Sequence, residues 1–181
     1  MKFIPSVWEN VGVLIDIKRS TIRFKDGTTP TPNELLVKVG EGNLTWTENR
    51  TIEYILDRGL IDEVREGDEV PVDVSFEFNW EYYTGTPSSG GVPTPVDAVK
   101  GTGNASSWLS SDPDQCAPYA VDIELLYEPQ CRKSAGIDNE RVTISDFRWE
   151  SLDFDLRAAT ISVTGRANIK EATAVRFPQT T

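Results

Sequence analysis

From Val70 to Trp80 the chain alternates at every position. Val70, Val72, Val74, Phe76, Phe78 and Trp80 fall on one side, and Pro71, Asp73, Ser75, Glu77, Asn79 and Glu81 on the other. A period of two sustained this long predicts a long antiparallel strand with one buried and one wet face. Trp80 is in phase with the buried side, so core packing is its expected role.

Shorter runs repeat the pattern. Val121, Ile123, Leu125 and Tyr127 alternate with Asp122, Glu124 and Glu128, with Leu126 out of phase. Leu152, Phe154 and Leu156 alternate with Asp153 and Asp155; Ala159, Ile161 and Val163 alternate with Thr160, Ser162 and Thr164. Only Arg157-Ala158 separates these last two runs, which reads as one bent strand or a hairpin. Val142–Ser145 and Phe147–Glu150 precede them as strand segments. Near the start, Val11–Ile17 and Thr21–Phe24 read as strands, and Asp26-Gly27 marks a turn. Leu35–Val39 and Leu44–Thr47 flank Gly40-Glu41-Gly42-Asn43 and predict a hairpin. Thr51–Leu56 is open between one helical turn and an extended segment; Gly59 and the β-branched content favour the extended reading.

Residues 84–95 form a Gly/Ser/Pro/Thr loop. At its end Thr94 caps a short helix, with Pro95 first, Asp97 three residues on and Gly101 as the stop. Residues 102–118 read as a second connection. Both ends, residues 1–10 and 171–181, read as extended segments. The expectation is a single, mostly β domain: a β-sandwich or open barrel of about eight to ten antiparallel strands with one short flanking α-helix.

Composition narrows the chemistry. The 181 residues carry 29 acids against 18 bases, a net charge of −11, and no histidine. Without clustered Lys or Arg, counterion-release binding to nucleic acid is not expected, nor is binding to an anionic membrane. Without histidine, the usual Ser-His-Asp, Cys-His and His-containing zinc sites are excluded, and the expectation is no enzyme and no cofactor. The N-terminus shows no run of signal-peptide length, which predicts a soluble protein made in a cytoplasm. There Cys116 and Cys131 are expected as thiols, with a disulfide as the alternative if the intervening chain returns.

Carboxylates are the catalytic raw material present in quantity. Asp153 and Asp155 share a predicted strand face about 7 Å apart, a spacing that suits glycoside hydrolysis. So many acids produce such pairs by chance, and the hydrolase reading is the remote one. Asp112-Pro113-Asp114 lacks the glycine and distal glutamate of an EF-hand loop and reads as a turn. The five tryptophans leave a carbohydrate-binding module open as an alternative, and Trp108, in a polar loop, is a candidate interface anchor beside Phe177 near the C-terminus.

Two stretches carry a resemblance. Arg50-Thr51-Ile52-Glu53-Tyr54-Ile55-Leu56-Asp57-Arg58-Gly59-Leu60 continues through Ile61–Asp68 into Val70–Trp80. Asp97-Ala98-Val99-Lys100-Gly101 runs through Trp108 to Cys116–Ile123. In pattern and layout, over roughly residues 35–170, the chain resembles the tail tube (major tail) proteins of siphophages. The resemblance implies a β-sandwich or barrel with a flanking helix, six copies joined into a ring around a continuous β-barrel lumen, and rings stacked into a virion tube. Its partners would be other tail proteins, a tape-measure protein inside the tube, and genomic DNA passing without specific binding. An acidic lumen would repel the polyanion, which makes Asp73, Glu77, Glu81, Asp122, Glu124, Asp153 and Asp155 candidate lumen-facing residues. Another connector or tail-end subunit of the same fold stays open beside it.

Overall fold

The structure, a computed structural model, describes residues 20–37, 44–80, 91–114, 116–128 and 138–178. Among the described residues ten strands and one α-helix follow in order: β1 (Ser20–Lys25), β2 (Glu34–Val37), β3 (Leu44–Thr47), β4 (Ile52–Asp57), β5 (Leu60–Glu66), β6 (Val72–Asn79), α1 (Pro95–Lys100), β7 (Val121–Tyr127), β8 (Asn139–Asp155), β9 (Thr160–Ala167) and β10 (Thr173–Phe177). Eight strands form one antiparallel sheet in the order β2-β1-β7-β8-β9-β6-β3, with β10 added on β8, while β4 and β5 pair only with each other.

The sheet folds over on β8. The first half of this 17-residue strand pairs with β7 and β10, and the second half with β9. Asp146 sits at the change-over with φ 57°, a left-handed conformation in which Asp is among the better-tolerated residues. Its carbonyl accepts a hydrogen bond from Asn168 N at 3.2 Å. Two layers result. Ile22 and Phe24 from one, and Val72, Val74, Phe76 and Phe78 from the other, close on a shared core with Ile123, Ile144, Phe147, Ile161 and Val163. The Phe24 and Phe76 rings meet across the layers at 5.6 Å. Among the described residues the sheet does not close into a barrel. This is the expected sandwich, made from one sheet.

The alternation of 70–80 becomes β6, with Val72 to Phe78 buried and Asp73 and Ser75 exposed. Trp80 departs from the reading: it stands beyond the end of the strand, 43% exposed, its ring edge-on to Phe154 at 5.4 Å. The phase was right, but the core stops at Phe78. The expected hairpin of Leu35–Val39 with Leu44–Thr47 does not form. The β2 strand pairs with β1 and β3 pairs with β6, at opposite edges of the sheet. Each edge strand sends its apolar side chains into the core, Leu35 and Val37 from β2, and Leu44 and Trp46 from β3; pairing them together would bring those two edges side by side. The segments 142–145, 147–150 and 152–156 merge into β8, and the 152–163 ambiguity resolves as the β8–β9 hairpin. The C-terminal arm is a laddered strand over Thr173–Phe177.

The short helix forms as its signals require. Thr94 Oγ1 accepts from Asp97 N at 3.1 Å, Asp97 Oδ2 accepts from Thr94 N at 3.0 Å, and Gly101 closes the helix in the left-handed region. Ala98 and Val99 are buried, and Tyr119 Oη donates to the Ala98 carbonyl at 3.1 Å. Val11–Ile17, residues 1–10 and most of the 84–95 loop lie outside the described residues.

One glycine sets how closely β8 and β9 pack. A Cβ on Gly165 would lie 2.0 Å from the Arg148 carbonyl oxygen, beside the register shift between Trp149 and Ser151. Gly165→Ala is expected to lower stability by about 1–3 kcal/mol through overpacking, read as a lower urea midpoint at unchanged slope. Thr164→Ala, at an exposed neighbouring position, should move the midpoint by less than about 0.5 kcal/mol equivalent.

Candidate assembly surface

Three surface features stand out on one layer, the four strands β3, β6, β9 and the second half of β8. The first is its outer face. Cross-strand partners share a face, so the registers place Thr47, Asp73 and Arg166 in one row. Thr45, Ser75, Thr164 and Ser151 form the next, then Glu77, Ser162 and Asp153, then Asn79, Thr160 and Asp155. Every side chain in these rows is a hydroxyl, an amide or a charge. They are knitted together: Ser162 Oγ donates to Glu77 Oε2 at 3.2 Å, Arg166 Nε donates to Asp73 Oδ1 at 3.2 Å, and the Ser151 and Thr164 hydroxyls lie 2.9 Å apart. Among the described residues, the outer edge of β3 and the outer edge of β8 beyond Phe147 carry no ladder partner. An open sheet with two free edges is a template for further pairing.

Of the seven acids singled out from the sequence, Asp73, Glu77, Asp153 and Asp155 thus come together on this face. Asp122 and Glu124 do not. They lie in β7, in the part of the sheet around β1, β7 and the first half of β8. Glu124 is 4% exposed, bound by Lys25 Nζ at 2.8 Å and Arg141 Nε at 3.3 Å, so it leaves the candidate list. Asp122 is half-buried and accepts from Asp146 N at 3.0 Å; burial pushes its carboxyl above the usual value. Glu124 was misread because β7 is covered on two faces toward its end, where Glu124, Leu126 and Tyr127 are all buried, and alternation reports only one buried side. Glu81 lies outside the described residues.

The second feature is the β4–β5 hairpin. Arg58 and Gly59, with φ 50° and 83°, form its two-residue turn, the geometry that matches strand twist and favours glycine. Ile52, Tyr54, Leu56, Ile61 and Val64 share one face through the pairs Tyr54–Val64 and Leu56–Ile61. All five are exposed, from 45% to 64%. The opposite face carries the Arg65–Glu53 ion pair at 2.8 Å. The hairpin is held at its root: Gly67 N donates to the Thr51 carbonyl at 2.9 Å, and Glu66 pairs with Arg50 at 3.3 Å and with Lys170. Those two cations hold the Glu66 carboxyl below its usual value. The sequence reading took 51–56 as extended but missed the hairpin. Its signal was Arg58-Gly59 between two apolar runs.

The third feature lies at the other end of the same layer. Trp80, Phe154 and Leu156 are exposed at 43%, 47% and 80%. Beside them a cavity of about 200 Å³ opens against the start of α1, lined by Phe78, Pro95, Val96 and Ile161 with Asn79, Thr94 and Asp97 at its polar side.

The remaining candidates are dispersed. Trp108 is half-buried against the core. Phe177 lies under the Arg141 guanidinium at 5.1 Å. Trp149 has the Lys100 ammonium over its ring at 5.4 Å. Cys116 is an exposed free thiol, and Cys131 lies outside the described residues. The Asp112 turn forms as read, with Asp114 N on Asp112 Oδ1 at 2.9 Å and Arg148 paired to the same carboxylate. Among the described residues no group of three metal-ligating side chains converges, and no helix is long and apolar enough to cross a membrane.

No protein-family model matches the chain. No curated protein matches it either. Among solved structures, its fold is similar to the PVC sheath/tube terminator of an extracellular contractile injection system, determined by cryo-electron microscopy in the extended state. Identity is 12% and the TM-score 0.51, over 91% of this chain and 99% of that one. At this identity what the two chains share is the fold.

Proposed function

We propose that this protein is a non-enzymatic structural subunit of a phage tail or a related injection machine, a virion component in the phage case. Six copies form a ring whose polar sheet faces line a bore, and rings stack into a tube or close its end. The observation that carries the reading is the polar face of β3-β6-β9-β8, bounded by two edges without ladder partners. In an antiparallel series β3 and β8 run in opposite directions. The β8 edge of one copy can therefore accept the β3 edge of the next and continue the sheet antiparallel around a ring. That closure removes both edges and turns Asp73, Glu77, Asp153 and Asp155 toward a common centre. A hydroxyl-lined wall with fixed negative charge repels a polyanion and gives it little to adhere to, as a conduit for DNA requires. A tape-measure protein would occupy the same bore before release.

The fold shared with a sheath/tube terminator supports the tail reading and leaves two variants, a subunit that stacks into the tube and one that ends it and meets other tail proteins. Electron microscopy over a concentration series separates the two. Long hollow tubes mark a tube subunit; discrete rings at every concentration mark a terminator; monomers throughout would refute ring assembly by this chain alone.

The bore chemistry has its own test. Asp153→Lys with Asp155→Lys converts two exposed positions; Asp155 Oδ1 also accepts from Arg157 N at 2.8 Å and Ala158 N at 3.0 Å in the β8–β9 turn, so the double variant should lose about 1 kcal/mol of stability and still fold. Tails built from this variant should release DNA severalfold more slowly, and the delay should shrink as added salt screens the new charges. Release at the wild-type rate would remove these acids from the bore.

A further inference from the structure

We infer that the apolar face of the β4–β5 hairpin docks on the Trp80–Phe154 end of the next copy in a stack. This rests on the ring reading above and names the contact between rings.

Four observations converge. The hairpin leaves the sheet at the junction of β3 and β6, beside Val72, whereas Trp80 follows the far end of β6. Eight residues of strand separate the two ends, about 26 Å. Donor and acceptor thus lie at opposite ends of one layer, and a shift along the strand direction brings one copy's hairpin to the next copy's apolar end. Secondly, a two-stranded hairpin on its own is marginal in water. Five side chains with 45% to 64% exposure leave on the order of 500 Å² of largely apolar surface in one strip. Monomers rarely leave patches larger than this uncovered, and it would supply much of the ~800 Å² per partner of a standard interface.

Thirdly, the acceptor is shaped as well as largely apolar. The cavity beside Trp80 and Phe154 holds about 200 Å³, room for one large aliphatic side chain from the hairpin. Finally, donor and acceptor are different patches, so the contact is heterologous. A contact of this kind repeats without closing and builds a filament along its axis. That axis follows the strands of the polar face, so stacking would extend the hydroxyl and acid surface from ring to ring.

Cross-linking between copies tests the contact. In a background with Cys116→Ser and Cys131→Ser, one preparation carries Tyr54→Cys and another Leu156→Cys, both at exposed positions. The two are mixed and treated with a short bismaleimide. Covalent dimers are expected in the mixture and in neither preparation alone. A comparable yield from Tyr54→Cys alone would overturn the proposal in favour of hairpin-to-hairpin pairing. Tubes in the micrographs without cross-linking would overturn it too. A second variant, Leu56→Asp with Ile61→Asp, should leave rings intact and reduce tube length or yield at least tenfold; tubes of wild-type yield would refute the contact while leaving the ring reading standing. Discrete rings at every concentration, with no cross-link, refute the contact and leave the ring reading standing; copies that remain monomeric throughout, with no cross-link, refute both.

Discussion

Phe76→Ala is expected to lower the stability of the isolated chain by about 3–5 kcal/mol, the largest effect of any single side chain here. Phe76 sits in the middle of β6, 4% exposed, paired across strands with Leu44 of β3 and Val163 of β9. Its ring lies 5.6 Å from Phe24 in the other layer, 5.9 Å from Phe78 and 5.5 Å from Phe147 near the bend of β8. Truncation therefore opens a cavity where the two layers meet, and forfeits three aromatic contacts worth ~0.5–1.5 kcal/mol each beyond burial. The three surrounding rings come from three strands, β1, β6 and β8, so collapse into the cavity is opposed from several sides. Chemical denaturation measures the loss. Tyr54→Ala is the matched comparison: its ring is 60% exposed on the hairpin, so the isolated chain should stay within about 0.5 kcal/mol of wild type. A Phe76→Ala loss below about 1 kcal/mol would mean the layers are not joined through this ring.

The same contrast explains what the sequence made legible. Where one face is buried and the other wet, as in β6, alternation gave the strand, its phase and its core residues. Capping chemistry gave α1 because Thr94, Pro95, Asp97 and Gly101 act locally. Three things escaped. Trp80 continued the apolar phase past the end of the core, and phase does not report where a core stops. Glu124 looked like a wet-face acid, but its strand is covered on both sides toward Tyr127. The hairpin of β2 with β3 was suggested by a good turn sequence, yet each strand has a partner far away in the chain. Non-local pairing is what local turn signals cannot see. The assembly surface was half legible: Asp73, Glu77, Asp153 and Asp155 came from alternation, while their convergence needed the β6–β9–β8 registers. The apolar hairpin face was written in the 52–64 pattern, but its exposure depends on its having no packing layer above it.

Asp26 supplies the second large effect, with a size that pH changes. The sequence marks Asp26-Gly27 only as a turn. In the structure Asp26 is 4% exposed and its carboxylate accepts five hydrogen bonds. Thr28 gives two, N at 3.1 Å and Oγ1 at 2.6 Å. Asn33 gives two more, N at 2.7 Å and Nδ2 at 2.8 Å, and Leu109 N adds one at 3.2 Å from the connection after α1. The β1–β2 turn is thereby tied to a segment 83 residues away. Burial opposes ionisation, but the hydrogen bonds from Thr28 and Asn33 outweigh it and hold the carboxyl below 3.8. Asp26→Ala leaves buried donors without an acceptor and should cost about 3 kcal/mol at neutral pH.

A folded-state value below the unfolded one means the ionised carboxylate stabilises the native state above the unfolded pKa. That contribution is lost as pH falls through the folded value. The stability gap between wild type and Asp26→Ala should thus be constant from pH 7 to about pH 5 and narrow below about pH 4. Asp122 runs the other way. Burial raises its carboxyl, assisted by the nearby Asp146 charge, so its ionised form costs stability above the folded pKa and the cost is relieved on acidification. Asp122→Asn keeps an oxygen to accept from Asp146 N and removes the buried charge. It should match or exceed wild-type stability at pH 7 and lose that advantage as pH falls. Urea midpoints for the three proteins across pH 3–7 decide the matter. A pH-independent gap for Asp26→Ala would assign its role to packing alone, and a loss for Asp122→Asn at pH 7 would show that its charge, and not its burial, dominates at the bend of β8.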